Sequence, residues 1–271
     1  MEQQRIGFIG AGNIAEAMIR GIITSGHADP GQIVIADVNK QRQVQLHQTL
    51  GPTIASSNED AAAEAAILFL AVKPFQVVEV AGKLHGVLRE DQFVISVAAG
   101  TALGRIREAV GPGPRLCRIM PNLSASVRRS TIGMYAEPAL SDADLAPVYE
   151  LLSQLGKVFR IEDESQMAVV TALSGSAPAY YVMMADALIR YGVSQGIPEE
   201  LATAMILGTM EGSATWALNA RVPLDQLWRR VVTPGGTTEA GIKHYDEKGF
   251  LEIFVEGLSR STRRARELGD Q

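Results

Sequence analysis

Short apolar runs alternate with stretches of helical period over the first 160 or so residues of the chain. Runs at 5–9, 33–36, 67–71, 93–97 and 115–119 have the length of buried strands. Residues 13–25, 58–66, 75–88 and 101–110 carry the three-to-four-residue spacing of helices. In 13–25, Ala17, Met18 and Ile22 supply an inner face. Strands alternating with helices predict a parallel sheet covered on both sides. Two more strands are expected at 131–135 and 157–161, around a helix at 142–155. From Glu164 onward no strand pattern recurs, and helices are predicted at 167–173, 179–195, 198–220, 224–231, 239–248 and 251–268. Two domains follow, an α/β domain over 1–162 and an all-helical one over 163–271.

Several of the later helices are apolar on most faces, notably 179–185 and 202–210. Such helices need neighbours all round, which one small domain does not supply, so an interlocked homodimer is expected.

The first strand runs into Gly10-Ala11-Gly12-Asn13-Ile14-Ala15, the pattern G-x-G-x-x-G/A between a strand and a helix. Gly10 permits the tight turn, Gly12 lets a pyrophosphate approach the backbone, and Ala15 allows close helix–strand packing. The fold class is therefore expected to be α/β, with an N-terminal Rossmann dinucleotide-binding domain followed by an all-helical dimerisation domain. Asp37 ends the second strand, where an acid accepts from the ribose hydroxyls of NAD. Lys40 and Arg42 lie just beyond and suit a 2′-phosphate, so the sequence leaves NAD(H) and NADP(H) both open. Ligands of such sheets bind at the carboxyl ends of the strands. The small-residue loops at 71–74, 98–100 and 120–122 are the expected lining of a nicotinamide site.

Composition narrows the chemistry. The 271 residues are 46% hydrophobic and 20% charged with a net charge of −5, which fits a globular protein without a nucleic-acid face. The start of the chain, Met1 to Arg5, reads straight into the first strand, with no signal peptide. The longest apolar run, 65–72, is too short to span a bilayer, so a cytoplasmic setting is expected. The single cysteine, Cys117, reads as a buried apolar residue. His27, His47, His85 and His244 show no metal-ligand spacing, and no metal is expected. No paired carboxylates or Ser/His/Asp set stands out, so the chemistry is expected to be a cofactor's hydride transfer. An electrophilic C=N bond, which needs little acid–base help, suits that poverty. The segment 231–241, with Thr233-Pro234-Gly235-Gly236-Thr237-Thr238, reads as a capped turn between helices. Its glycine amides and threonine hydroxyls suit a small anion such as a carboxylate.

Six stretches together resemble the pyrroline-5-carboxylate reductase family over nearly the whole chain. They are Gly7-Phe8-Ile9-Gly10-Ala11-Gly12-Asn13, Ala71-Val72-Lys73-Pro74, Ser96-Val97-Ala98-Ala99-Gly100, Arg118-Ile119-Met120-Pro121-Asn122, Leu173-Ser174-Gly175-Ser176-Ala177-Pro178-Ala179-Tyr180 and Thr233-Pro234-Gly235-Gly236-Thr237-Thr238-Glu239-Ala240. The resemblance implies reduction of 1-pyrroline-5-carboxylate to L-proline by NAD(P)H. It also implies a site at a dimer interface and dimers that assemble further into decamers. It assigns cofactor contacts to Ile9, Gly10, Ala11, Gly12, Asn13, Ile14, Asp37, Asn58, Ala71, Val72, Lys73, Pro74, Ala98, Ala99 and Gly100. Glu164, Gly235, Gly236, Thr237 and Thr238 are assigned to the substrate, with Thr238 on its nitrogen as the catalytic residue. Leu123 stands where the family usually has threonine, Ala177 replaces a common glycine, and Thr101 stands where a β-branched apolar residue is usual. These departures keep two alternatives in view, a paralogue reducing another cyclic imine and a silent cofactor-binding regulator. The β-hydroxyacid dehydrogenases, which use a lysine on the interdomain helix, are disfavoured because 164–195 contains none.

Overall fold

The structure, a computed structural model, describes residues 5–269; residues 1–4, read above as leading straight into the first strand, and 270–271 lie outside the described residues. The first part alternates as β1 (Arg5–Ile9), α1 (Asn13–Ser25), β2 (Ile33–Ala36), α2 (Lys40–Leu50), β3 (Thr53–Ile54), α3 (Asn58–Glu64), β4 (Ala65–Leu70), α4 (Pro74–Lys83), β5 (Phe93–Ser96), α5 (Leu103–Val110) and β6 (Arg115–Met120). It continues with β7 (Ser130–Ala136), α6 (Asp142–Ser153) and β8 (Gly156–Arg160). The strands form one sheet in the order β3-β2-β1-β4-β5-β6-β7-β8. The chain thus starts in mid-sheet, winds outward through β2 and β3, then crosses to β4 on the other flank of β1. That reversal makes a crevice above the carboxyl ends of β1 and β4, the place where ligands of such sheets bind.

Pairing is parallel throughout except between β6 and β7, which are antiparallel. The link 121–129 is too short for a parallel crossover, which needs about a dozen residues. The strands are continuous apolar runs because both faces are covered. One face packs Phe8, Ile33, Ile35 and Phe69 against Met18, Ile19 and Ile22 of α1, with the Phe8 and Phe69 rings stacked at 4.7 Å. The other packs Leu68, Leu70 and Val94 against Val77, Ala81 and Ile106 of α4 and α5. Each such fully buried side chain stabilises the fold by about 1.5–3 kcal/mol.

Helix α2 and strand β3 are not signalled by the hydrophobic pattern. Of α2 only Gln43 and Leu46 are buried, and β3 is two residues long. Helix α2 instead starts on a side-chain cap, Asn39 Oδ1 accepting from the Arg42 amide at 3.1 Å. After β8 come α7 (Met167–Val170), a π-helical turn (Thr171–Ser176) and α8 (Ala177–Ser194). The break expected between 173 and 179 is therefore a widened turn. Asn122 Nδ2 donates to the Ser174 carbonyl at 3.2 Å and the Ser174 hydroxyl donates to the Thr131 carbonyl, drawing this turn onto β6 and β7.

The chain divides into two compact units. One comprises the residues up to Pro178 together with those from Arg260, and the other is Ala179–Ser259. The first unit extends past residue 162 because 164–178 packs on the sheet. Val170 fills the space over Gly133, and Met120 abuts Gly175. The second unit holds most of α8, then α9 (Glu199–Asn219), α10 (Leu224–Arg229), α11 (Thr237–Glu247) and the first turns of α12 (Phe250–Gly269). Inside it, Phe254 meets Tyr180 edge-on at 6.1 Å. Only Ala202 of α9 is buried, while Val182, Met183, Tyr191, Leu207 and Trp216 are exposed. Helices of this unit leave broad apolar faces bare. The stretch Glu164–Ser194 is long and apolar enough, by length and composition alone, to cross a membrane. A helix apolar all round for a subunit interface passes the same test.

Candidate functional site: a dinucleotide cleft and a glycine-threonine turn

A cleft of about 600 Å³ lies over the carboxyl ends of the central strands. The β1–α1 loop forms its floor. Gly10 has φ +103°, and a Cβ there would come within 2.5 Å of the Ala71 carbonyl oxygen, so a side chain is excluded on both counts. Its amide donates to the Ala36 carbonyl at 2.7 Å, tying the loop to β2. Gly12 is different, since a Cβ there would meet nothing within 4 Å. Its missing side chain leaves the approach to α1 open. Gly12 caps α1 without a side-chain hydrogen bond, and the first intrahelical bond runs from the Glu16 amide to its carbonyl. The first-turn amides of α1 are therefore free for an anion, reinforced by the helix dipole. A pyrophosphate fits this cradle.

Most residues expected to hold the cofactor line this cleft. Ile9, Gly10, Gly12, Asn13 and Ile14 come from the β1–α1 loop, Asp37 from the end of β2 and Asn58 from the start of α3. Ala71, Val72, Lys73 and Pro74 come from the β4–α4 link, and Ala98 and Ala99 follow β5. Two expected contacts fall outside the lining. Ala11 is fully buried, and its backbone is spent on the loop, its amide donating to Asp37 Oδ2 at 2.6 Å and its carbonyl accepting from Arg42 Nε at 2.8 Å. Gly100, at φ +85°, turns away and lies against the last turns of α12, with the Gly269 backbone where a Cβ would be. Val38, Gln76, Val80, Val97 and Leu123 join the lining without having been singled out as contacts. Gln76 and Val80 are four apart on α4, so its helical period held that signal. Leu123 follows Met120-Pro121-Asn122 and is 55% exposed.

Charge around the loop is balanced. Glu16 sits between Arg42 and Arg20, and its carboxyl is held below the ordinary range chiefly by the Arg42 hydrogen bond, against a smaller penalty from burial.

Glu164, expected at the substrate, lies in the first unit beside a second cavity of about 510 Å³. Its Oε1 accepts from Arg118 Nη1 at 2.9 Å and from the Leu103 amide at 2.7 Å, where α5 begins. Arg118 is a buried strand residue whose Nε has no partner, so Glu164 is its counter-charge. Desolvation, followed by the Glu164, Asp163 and Glu137 charges, raises the Tyr135 hydroxyl pKa above its ordinary value.

The expected substrate clamp lies in the second unit, at the start of α11. Gly235 has φ +71°, and the Thr233 hydroxyl occupies the place of a Gly236 Cβ, so both positions demand glycine. The glycine amides are not open, contrary to expectation. The Gly235 amide donates to Glu239 Oε2 at 2.8 Å and the Gly236 amide to the Thr233 carbonyl at 2.9 Å. Nor does a threonine hydroxyl cap the helix, because Gly236 is the N-cap and makes no side-chain bond. Thr237 is exposed and Thr238 half-buried, and their first-turn amides have no partner within the helix.

A glycine cradle at a helix N-terminus, an acid closing the second strand and a cleft over the reversal in strand order define a dinucleotide-dependent oxidoreductase. Residues 164–268 match the family model for pyrroline-5-carboxylate reductase dimerisation, and 5–100 match that for NADP oxidoreductase, coenzyme F420-dependent. Pyrroline-5-carboxylate reductase of Pseudomonas aeruginosa is 34% identical over 100% of this chain and 99% of its own length. That of Methanosarcina acetivorans is 34% identical over 99% of both chains. The solved Plasmodium falciparum pyrroline carboxylate reductase, which has NADP bound, superposes with TM-score 0.89 at 25% identity over 99% of both chains. The chain belongs to the pyrroline-5-carboxylate reductase family. Its matched dimerisation region and bare apolar helices mark it as a homo-oligomer.

Proposed function

We propose that the protein reduces 1-pyrroline-5-carboxylate to L-proline with NAD(P)H, the last step of proline biosynthesis, in the cytoplasm. The observation that carries this reading is the dinucleotide cleft over β1 and β4 in a chain that aligns end to end with these reductases. It works as a homodimer, with dimers gathered into a decamer.

Reduced nicotinamide, when bound, supplies a hydride from its C4. The chain's own residues hold and orient the reactants. The β1–α1 loop and the first turn of α1 take the pyrophosphate, and Asp37 and Asn58 take the adenosine side. Ala98 and Ala99 leave room for the ring. The first-turn amides of Thr237 and Thr238 receive the pyrroline carboxylate, and the Thr238 hydroxyl hydrogen-bonds the ring nitrogen. As C5 gains the hydride, the C=N π pair moves onto nitrogen, which keeps the proton of the iminium and becomes an amine. An iminium accepts hydride directly, so the absence of histidine from the cleft lining is no obstacle.

The test is oxidation of NADH and NADPH in the presence of pyrroline-5-carboxylate. No turnover with either, despite cofactor binding, would sink the reading. Thr238→Ala should lower kcat by about a hundredfold while cofactor affinity holds; equal loss of both would contradict the role given to its hydroxyl. Leu123, an apolar side chain in the cleft, favours a second reading in which another cyclic imine is the better substrate. A panel of five- and six-membered imines separates the two.

A further inference from the structure

We infer that this chain selects NADH over NADPH, with Asp37 setting the choice and Arg42 locked out of reading a 2′-phosphate. The inference rests on the reductase reading above and deepens it.

The adenosine ribose of a dinucleotide lies over the end of the second strand, where Asp37 lines the cleft. A carboxylate offers about four acceptor positions. Two are used within the protein, Oδ2 by the Ala11 amide at 2.6 Å and Oδ1 by the Asn39 amide at 2.7 Å. Those bonds fix the carboxylate rigidly, one oxygen each, and leave the second lone pair of each oxygen for a vicinal diol. The 2′- and 3′-hydroxyls of NADH both donate and match that pair. A 2′-phosphate has acceptor oxygens and a charge near −2, so it meets a carboxylate with nothing to share and a charge of its own sign.

A cation could reverse that preference, and the obvious one is Arg42. One N–H on each of its three nitrogens is engaged within the protein, three of its five donors. Nε donates to the Ala11 carbonyl at 2.8 Å, Nη1 to Gln45 at 2.9 Å and Nη2 to Glu16. Arg42 is thus the strut that holds the glycine loop to α2, and Glu16 neutralises it. Swinging the guanidinium off these three partners toward a 2′-phosphate would break the brace on the loop expected to take the pyrophosphate. Lys40 lines a separate groove on the outer side of α2 with Val44 and Gln48. Lys73 does line the cleft, but it follows β4, across β1 from Asp37. The corner after β2 is therefore built for a diol, whatever a given relative holds.

The experiment titrates NADH and NADPH into the protein without imine, following nicotinamide fluorescence, and then compares kcat/KM for both with imine. NADH should bind at least about tenfold tighter. Asp37→Ser should shift the ratio toward NADPH by at least about tenfold, with Asp37→Asn, which keeps an amide acceptor, as the variant to use if serine unfolds the loop. Arg42→Gln should weaken both cofactors together, and Lys40→Ala and Lys73→Ala should leave the ratio unmoved. NADPH binding as tightly as NADH in the parent protein, or a selective loss of NADPH in any of the three cation variants, would overturn the inference. Tight NADH binding without imine turnover would strike the reductase reading and leave this one standing. Turnover with NADPH preferred would do the reverse.

Discussion

Gly10 and Gly12 sit two residues apart and are glycine for opposite reasons. At Gly10 the backbone has φ +103° and no room, so Gly10→Ala should destabilise the fold by a few kcal/mol and take cofactor binding with it. At Gly12 there is room, which in the proposed reading the dinucleotide takes. Gly12→Ala should fold with its Tm unchanged yet bind dinucleotide far more weakly, a contrast that thermal melts paired with cofactor titration would reveal. If Gly12→Ala melted early, the open space would have to be structural. These two positions, and Asp37, were legible because the phosphate-binding turn imposes a fixed spacing on the sequence. Glu164 was singled out through the family resemblance, but its pairing with Arg118 was not legible: the two lie 46 residues apart, and only the packing of residues 164–178 onto β6 brings them together. The closed Gly235 amide was equally hidden, since nothing in the residue types says that Glu239 folds back on it. Cys117 is the buried apolar residue its surroundings in the sequence suggest: burial, aided by the Glu137 charge, pushes its thiol up to about 12, so it is no nucleophile at neutral pH.

Elements with a strong apolar face were readable, while α2 and the turn at 171–176, held largely by polar bonds, were not. β1, α1 and β2 stand at the residues their periodicity predicted. α2 escaped because its inner face is Gln43 and Leu46, with Gln43 Nε2 donating to the Asp37 carbonyl at 2.7 Å. The turn at 171–176 escaped because a π-helical register depends on what its carbonyls meet, here Asn122, and not on local propensity. Small residues also set how elements meet. Gly21 on α1 has the Ala125 carbonyl where a Cβ would stand, and this close contact fixes the turn 123–127 that carries Leu123 to the cleft. A helix surface reads as apolar or polar from sequence; the particular backbone that needs a glycine's vacancy does not.

At the scale of the whole molecule the second unit is the less self-sufficient. Val182 is 67% exposed and Met183 62%, on a helix that has few polar residues to take their place. Large apolar faces of this kind mark an interface. Sedimentation should find no monomer at micromolar protein, and Val182→Asp combined with Met183→Asp should release monomers that melt earlier and no longer turn over. A monomeric parent protein would refute that assignment. The α/β and helical halves were both readable from the switch in period near residue 164. The inclusion of 164–178 and of the last turns of α12 with the sheet was not, since no periodicity reports which surface a helix returns to.

That return has a consequence for how the protein is made. The Arg105 guanidinium donates to the Gly269 carbonyl, and Gly100 abuts the same turn of α12, so a contact spanning 164 residues backs the loop after β5. Contacts of such sequence separation form late, because the intervening chain must be ordered or looped out first. The sheet therefore emerges from the ribosome and folds before its last strut exists. Until residue 269 has been synthesised, the loop after β5, which brings Ala98 and Ala99 to the cleft, stands without its backing.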